Sequence, residues 1–163
     1  MRVQPASGTS VMVFTFLVAG LLQLLPMPAS LSVGRPLWIE MVLVFWILAL
    51  PQRVGVFTGF VAGLLTDVLL GQVLGVYGIA LALLAYLTLS SYTRLRVYGA
   101  LQQSIAVFLL LGVGAFAVHI FKSSLGQNTL SPLATLLPVL VSAILWRPML
   151  NILRVIQVRF MVR

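Results

Sequence analysis

The chain has 163 residues, 61% of them hydrophobic and 7% charged, with ten basic residues against two acidic ones and a net charge of +8. Soluble domains carry about 25% charged residues, so the composition excludes a water-soluble protein. It points to an integral membrane protein, helical because no alternating ten-residue pattern of a barrel is present. Cysteine is absent, which removes disulfides, thiolate metal sites and a cysteine nucleophile. The length suits one domain, and no segment between apolar runs is long enough to bury a core of its own.

Six apolar runs follow one another. The first span is predicted at residues 10–25 and stops at Pro26 and Pro28. Arg2 and a long, weakly charged lead make it a retained first helix rather than a cleaved signal. The second, residues 36–50, is opened by Gly34-Arg35-Pro36 and closed by Pro51-Gln52-Arg53. It is shorter than the roughly 20 residues of a full crossing, so a re-entrant segment is the competing reading. The third covers residues 53–72, the fourth 76–91 and the fifth 100–121. The sixth covers 131–146, with Ser131 placed as N-cap and Pro132 at the first helical position. Pro148 is expected to interrupt it. Beyond, Arg147, Asn151, Arg154 and Gln157 share one helical face, while Ile152, Leu153, Ile156, Phe160 and Met161 supply apolar surface. Residues 148–163 therefore read as a short amphipathic helix on the inner leaflet, with Arg147, Arg154, Arg159 and Arg163 facing anionic lipid. A stop-transfer end with snorkelling arginines is the alternative.

Charge placement favours six crossings with both termini cytoplasmic. That arrangement puts Arg2, Arg53, Arg94, Arg96, Arg147, Arg154, Arg159 and Arg163 inside, and only Arg35 and Lys122 outside. This is the direction of the positive-inside rule. A re-entrant second span reverses every later loop and spoils the bias. The basic residues stand singly at the ends of apolar runs, as headgroup anchors do, and give no nucleic-acid signal.

The third span carries Gly55, Gly59, Gly63, Asp67, Gly71 and Gly75 at a spacing of four. Small residues at this interval let a second backbone approach closely. The row rotates by about 40° per step, so it has room for two uses: packing inside the bundle, or a groove for a partner's membrane helix. Asp67 lies about fourteen residues, roughly 21 Å, from the cytoplasmic start of its span. An intramembrane carboxylate is costly and marks a functional candidate. Glu40 and Arg35 are expected at a similar depth on the adjacent helix. The three are read as a charged cluster in which Arg35 neutralises a carboxylate.

No catalytic constellation is visible. An aspartyl dyad needs two acids sharing a proton, and Glu40 is placed too near the interface for that. Ser/His/Asp sets, zinc-ligand pairs and phosphate loops are missing, so no enzyme activity, cofactor or metal is expected. The single His119 reads as an interfacial or packing residue. Pro138, Gly112 and Gly114 are features that could kink helices around a transporter's cavity, or be ordinary membrane-helix packing.

An ordered series carries a family resemblance: Arg35-Pro36-Leu37-Trp38-Ile39-Glu40 through Phe45-Trp46, Leu50-Pro51-Gln52-Arg53-Val54-Gly55, Gly59-Phe60, Gly63-Leu64-Leu65-Thr66-Asp67, and Gly71 to Gly75. It is similar to the bacterial rod shape-determining protein MreD family, and the motif-bearing part covers residues 35–87. The resemblance implies a multi-pass, non-catalytic scaffold of the inner membrane within the cell-elongation complex that organises peptidoglycan synthesis. It implies as partners the bitopic protein MreC and, more widely, the actin-like MreB, the glycosyltransferase RodA and a transpeptidase penicillin-binding protein. The family also resembles in fold the six-helix substrate-binding subunits of energy-coupling-factor transporters. A small-ligand or lipid-binding subunit of a transporter is therefore the alternative function.

Overall fold

The computed structural model describes residues 6–26, 28, 34–127, 131 and 133–159. The expectations for Arg2, Pro132, Phe160, Met161 and Arg163 fall outside them. Among the described residues the chain forms six α-helices and no strand: α1 (Ala6–Leu24), α2 (Trp38–Ala49), α3 (Val56–Leu69), α4 (Val76–Val97), α5 (Ala100–Ser124) and α6 (Leu136–Arg159).

The shortest helix organises the rest. All ten residues from 39 to 48 in α2 are buried, and α2 touches each of the other five helices. A helix that is apolar all round belongs in a core, and Met41, Leu43, Val44, Trp46 and Ile47 are completely enclosed. Polar bonds fix its depth. The Trp46 indole N–H donates to Thr15 Oγ1 of α1 at 2.8 Å. The Leu37 amide donates to Ser142 Oγ of α6 at 2.8 Å, and the Trp38 amide to Gln23 Oε1 at 3.4 Å.

Helix lengths divide the bundle. With 22, 25 and 24 residues, α4, α5 and α6 reach about 33–38 Å, beyond the roughly 30 Å of a hydrocarbon core. These three are long and apolar enough to cross a membrane, whereas α1, α2 and α3 are shorter apolar helices. The third span, expected over 53–72, narrows to fourteen helical residues, because Gly71 and Gly75 leave helical geometry with φ of 61° and 102°. A short α2 is tolerable physically. Backbone that is not helical at membrane depth must be shielded by protein, and Pro36 and Val54 at the two ends of α2 are both buried.

The sixth helix departs most from expectation. It begins at Leu136, later than Ser131, so Pro138 falls in its first turn, where no intrahelical N–H bond is lost. It then continues unbroken through Pro148 to Arg159. The separate amphipathic helix expected after Pro148 is thus the second half of α6. Trp146, Leu150 and Leu153 are buried at i, i+4 and i+7, so one packed stripe crosses the proline. Tertiary burial on both sides outweighs the single backbone bond that proline removes.

Candidate functional site

The α3–α4 hairpin is the most extensively packed helix pair, and the four-residue series explains why. A Cβ on Gly59 would lie 2.7 Å from the Leu81 carbonyl oxygen and 2.8 Å from Ala85 Cβ. A Cβ on Gly63 would fall onto the Tyr77 carbonyl and 2.6 Å from Gly78 Cα. The two glycines therefore let α4 approach backbone to backbone. The reading of Gly59 and Gly63 as a groove for a foreign helix is corrected here: their own chain fills it. Gly55 stands at the N-cap of α3 with open space around it. Gly71 and Gly75 are not helical; they take the left-handed conformations of the turn into α4, which glycine adopts without strain.

Asp67 completes that turn. It is fully buried. Its Oδ2 accepts from the Gly75 amide at 2.8 Å and the Gly78 amide at 3.2 Å, and its Oδ1 accepts from the Tyr77 amide at 2.9 Å. These N–H groups open α4, where no intrahelical acceptor exists for them. No side chain at the N-cap itself serves them. Asp67 is a capping carboxylate supplied by the neighbouring helix, and its negative charge faces the positive end of the α4 dipole. The series Gly59, Gly63, Asp67, Gly71 and Gly75 thus encodes two close approaches, a cap and two turn residues.

Arg35, Glu40 and Asp67 do not form the expected charge cluster. The Arg35 guanidinium donates to the carbonyl oxygens of Gln23 and Leu25 at the end of α1, where a cation suits the helix dipole. Glu40 is buried and its Oε2 accepts no hydrogen bond. The Lys122 ammonium lies 5.2 Å from the centre of the Tyr77 ring, and the Tyr77 amide is one of the donors to Asp67. Asp67, Tyr77 and Lys122 are therefore grouped at this end. Lys122 and Tyr77 escaped sequence reasoning. The only signal was that the ends of α3 and α5 and the start of α4 fall at one side when helices alternate in direction.

Elsewhere the candidate residues are structural or exposed. His119 Nδ1 lies 3.5 Å from Thr135 Oγ1, which links the end of α5 to the approach to α6. Gly112 and Gly114 make ordinary contacts with Val139 and Leu84. Arg147, Arg154 and Arg159 are exposed on α6. Among the described residues no group of three His, Cys, Asp or Glu side chains could hold a metal.

One furrow is left open. Among the described residues no Cα atoms of α1 and α6 come within 8 Å of one another. Between them lies an almost wholly apolar groove of about 300 Å³, floored by Trp38 and Val42 and walled by Phe14, Val18, Ile152 and Ile156. Phe14 and Ile152 are 64% and 61% exposed.

Comparison with known proteins agrees with the residues that carry the resemblance. Residues 6–156 match the family model for the rod shape-determining protein MreD. The chain is 30% identical over 131 residues to the rod shape-determining protein MreD of Haemophilus influenzae, an alignment that covers 80% of each chain. No solved structure matches.

Proposed function

The chain belongs to the rod shape-determining protein MreD family, and from this premise we propose that it is a non-catalytic scaffold subunit of the cell-elongation complex in the bacterial inner membrane. Membership supports a role in rod shape determination. The finer reading has all six helices traverse the membrane region, with both termini cytoplasmic. A bitopic, MreC-like protein is its direct partner, and RodA, a transpeptidase penicillin-binding protein and MreB are assembled through it.

The observation that carries this reading is the open furrow between α1 and α6. Gly59 and Gly63 already hold α4, so the stripe is not free to receive a partner. The furrow is apolar, lies between two helices whose backbones stand apart, and has no element of the described chain to cover it. In hydrocarbon there is little hydrophobic drive between helices, and association relies on close packing. A grooved surface gives a partner helix more such contact than a smooth one. The transporter reading loses its support, because the lone pairs of Asp67 are engaged with backbone amides rather than turned to a cavity.

The natural absence of cysteine makes the test direct. Single cysteines at Phe14 and Ile152 are expected to crosslink to cysteines placed along the partner's membrane helix. A cysteine at Ile105, exposed on the far helix α5, is not. Crosslinks from Ile105 alone, or none from Phe14 and Ile152 while the complex still co-purifies, would overturn the assignment of this face.

A further inference from the structure

We propose that the arginine-bearing end of the bundle contains a binding site for the phosphate headgroup of an anionic phospholipid. The recess follows from unequal helix lengths. α2 stops at Ala49, while α4, α5 and α6 extend past it. The gap beneath α2 is a recess of about 310 Å³, at the small end of the roughly 300–1,000 Å³ range of ligand pockets. Its roof is Phe45 and Leu48 of α2. Its walls bring Arg96 from the end of α4, Gln103 from the start of α5, and Arg154 and Gln157 from α6.

Charge decides the chemistry. The chain contains only two acids, and both are buried at the other end: Asp67 on the amides that open α4, and Glu40 in the first turn of α2. Neither can neutralise Arg96 or Arg154. The C-terminal ends of α2 and α4 contribute partial negative charge, about half an electronic charge each, which offsets only part of two guanidinium charges. Two planar donor forks and two amide side chains around one recess suit phosphate oxygens. Gln103 Nε2 already donates to the Leu95 carbonyl at 3.3 Å, so that side chain is oriented by the fold.

A lipid, rather than free phosphate, is indicated by what adjoins the recess. Arg154 also lines a shallow surface hollow with Val155 and Val158, and these two valines are 63% and 71% exposed. One arginine thus stands between a polar recess and bare apolar surface, which is the layout a headgroup with attached acyl chains requires. Basic pockets between membrane helices bind anionic headgroups in this way.

Native mass spectrometry of the detergent-purified chain titrated with dioleoyl-phosphatidylglycerol or dioleoyl-phosphatidylcholine tests this. Preferential binding of one phosphatidylglycerol is expected. Arg96→Gln and Arg154→Gln should each weaken it about fivefold, and together roughly 25-fold. Arg154→Lys, which keeps the charge but loses the planar fork, should weaken it less than Arg154→Gln does, and Arg94→Gln, outside the recess, should leave it unchanged. Variants are compared only where their thermal unfolding matches the parent's; if the glutamine variants unfold, the parent's preference for phosphatidylglycerol supplies the charge test, since it must fall as salt is added, and a salt-independent preference would overturn the proposal. Equal binding of the two lipids, or unchanged binding in the double glutamine variant, would overturn the proposal. So would competition by millimolar inorganic phosphate with the same affinity as the lipid, which would assign the recess to free phosphate. Displacement of the lipid by polyglutamate at equal affinity would likewise overturn it in favour of an acidic protein segment.

Discussion

Asp67 is satisfied by three backbone amides, and the same logic governs most of the other charged residues. Arg35 caps the end of α1, Lys122 lies in the last turn of α5, Arg94 and Arg96 in that of α4, and Arg159 in that of α6. Most of the charges on the described residues complement a helix dipole. The glycines are just as particular, and their substitution costs should separate. Gly63→Ala drives a Cβ into rigid backbone of α4 and is expected to cost about 2–3 kcal/mol. Asp67→Ala strands three amides and should cost at least about 2 kcal/mol. Gly78→Ala meets only the side chains of Leu64 and Phe60 at 3.2–3.3 Å and should cost about 1 kcal/mol or less. Gly55→Ala meets nothing within 4 Å and should stay within about 0.5 kcal/mol. Thermal unfolding in detergent reads the order; equal shifts for Gly55 and Gly63 would contradict the α3–α4 geometry.

Among the elements, α2 and α6 behave least as their local sequence suggests. α2 is shorter than a hydrocarbon core is thick, yet it is the core around which the other helices are arranged. α6 contains a proline that should end it, yet Trp146, Leu150 and Leu153 are buried across that position. The helix is held by its neighbours, so the proline acts as a local defect rather than a terminus. Pro148→Ala is therefore expected to restore one backbone bond without moving the stripe, and to stabilise the protein by about 1–2 kcal/mol. That figure allows for the loss of proline's restriction of the unfolded chain. A fall in unfolding temperature would mean that proline's restriction of the backbone at residue 148 is required by the packing of α6.

The whole molecule is polarised. One end holds the two acids, Tyr77, Lys122 and Arg35; the other holds Arg53, Arg96, Arg154 and Arg159. The bonds Trp46–Thr15 and Arg35–Gln23 set α1 and α2 antiparallel, and the contacts Gly63–Tyr77 and Gly59–Leu81 set α3 and α4 antiparallel. In the topology proposed above the basic end is the cytoplasmic one, the direction of the positive-inside rule. Single cysteines introduced into this cysteine-free chain test the orientation. Gln127→Cys, after α5, should react with an impermeant maleimide applied to the outside of intact cells, and Gln52→Cys, after α2, only after lysis. The reverse pattern would invert the proposed topology and move the phospholipid recess to the outer leaflet.

Hydropathy alone determined the all-helical membrane class, the approximate position of six apolar helices and the charge asymmetry, because each depends on residue type averaged over many positions. The ordered series from Arg35 to Gly75 likewise carried the family. Three things only the tertiary structure decided. Small side chains at a spacing of four permit a close neighbour but do not name it, and the neighbour proved to be α4. A carboxylate at a given depth has no partner until chain reversal aims unpaired amides at it, so Asp67 read as a site and became a cap. Pro148 has the same local preference wherever it stands, and only burial on both sides of it lets the helix pass. Depth and composition are one-dimensional quantities; the pairing of faces between helices is not.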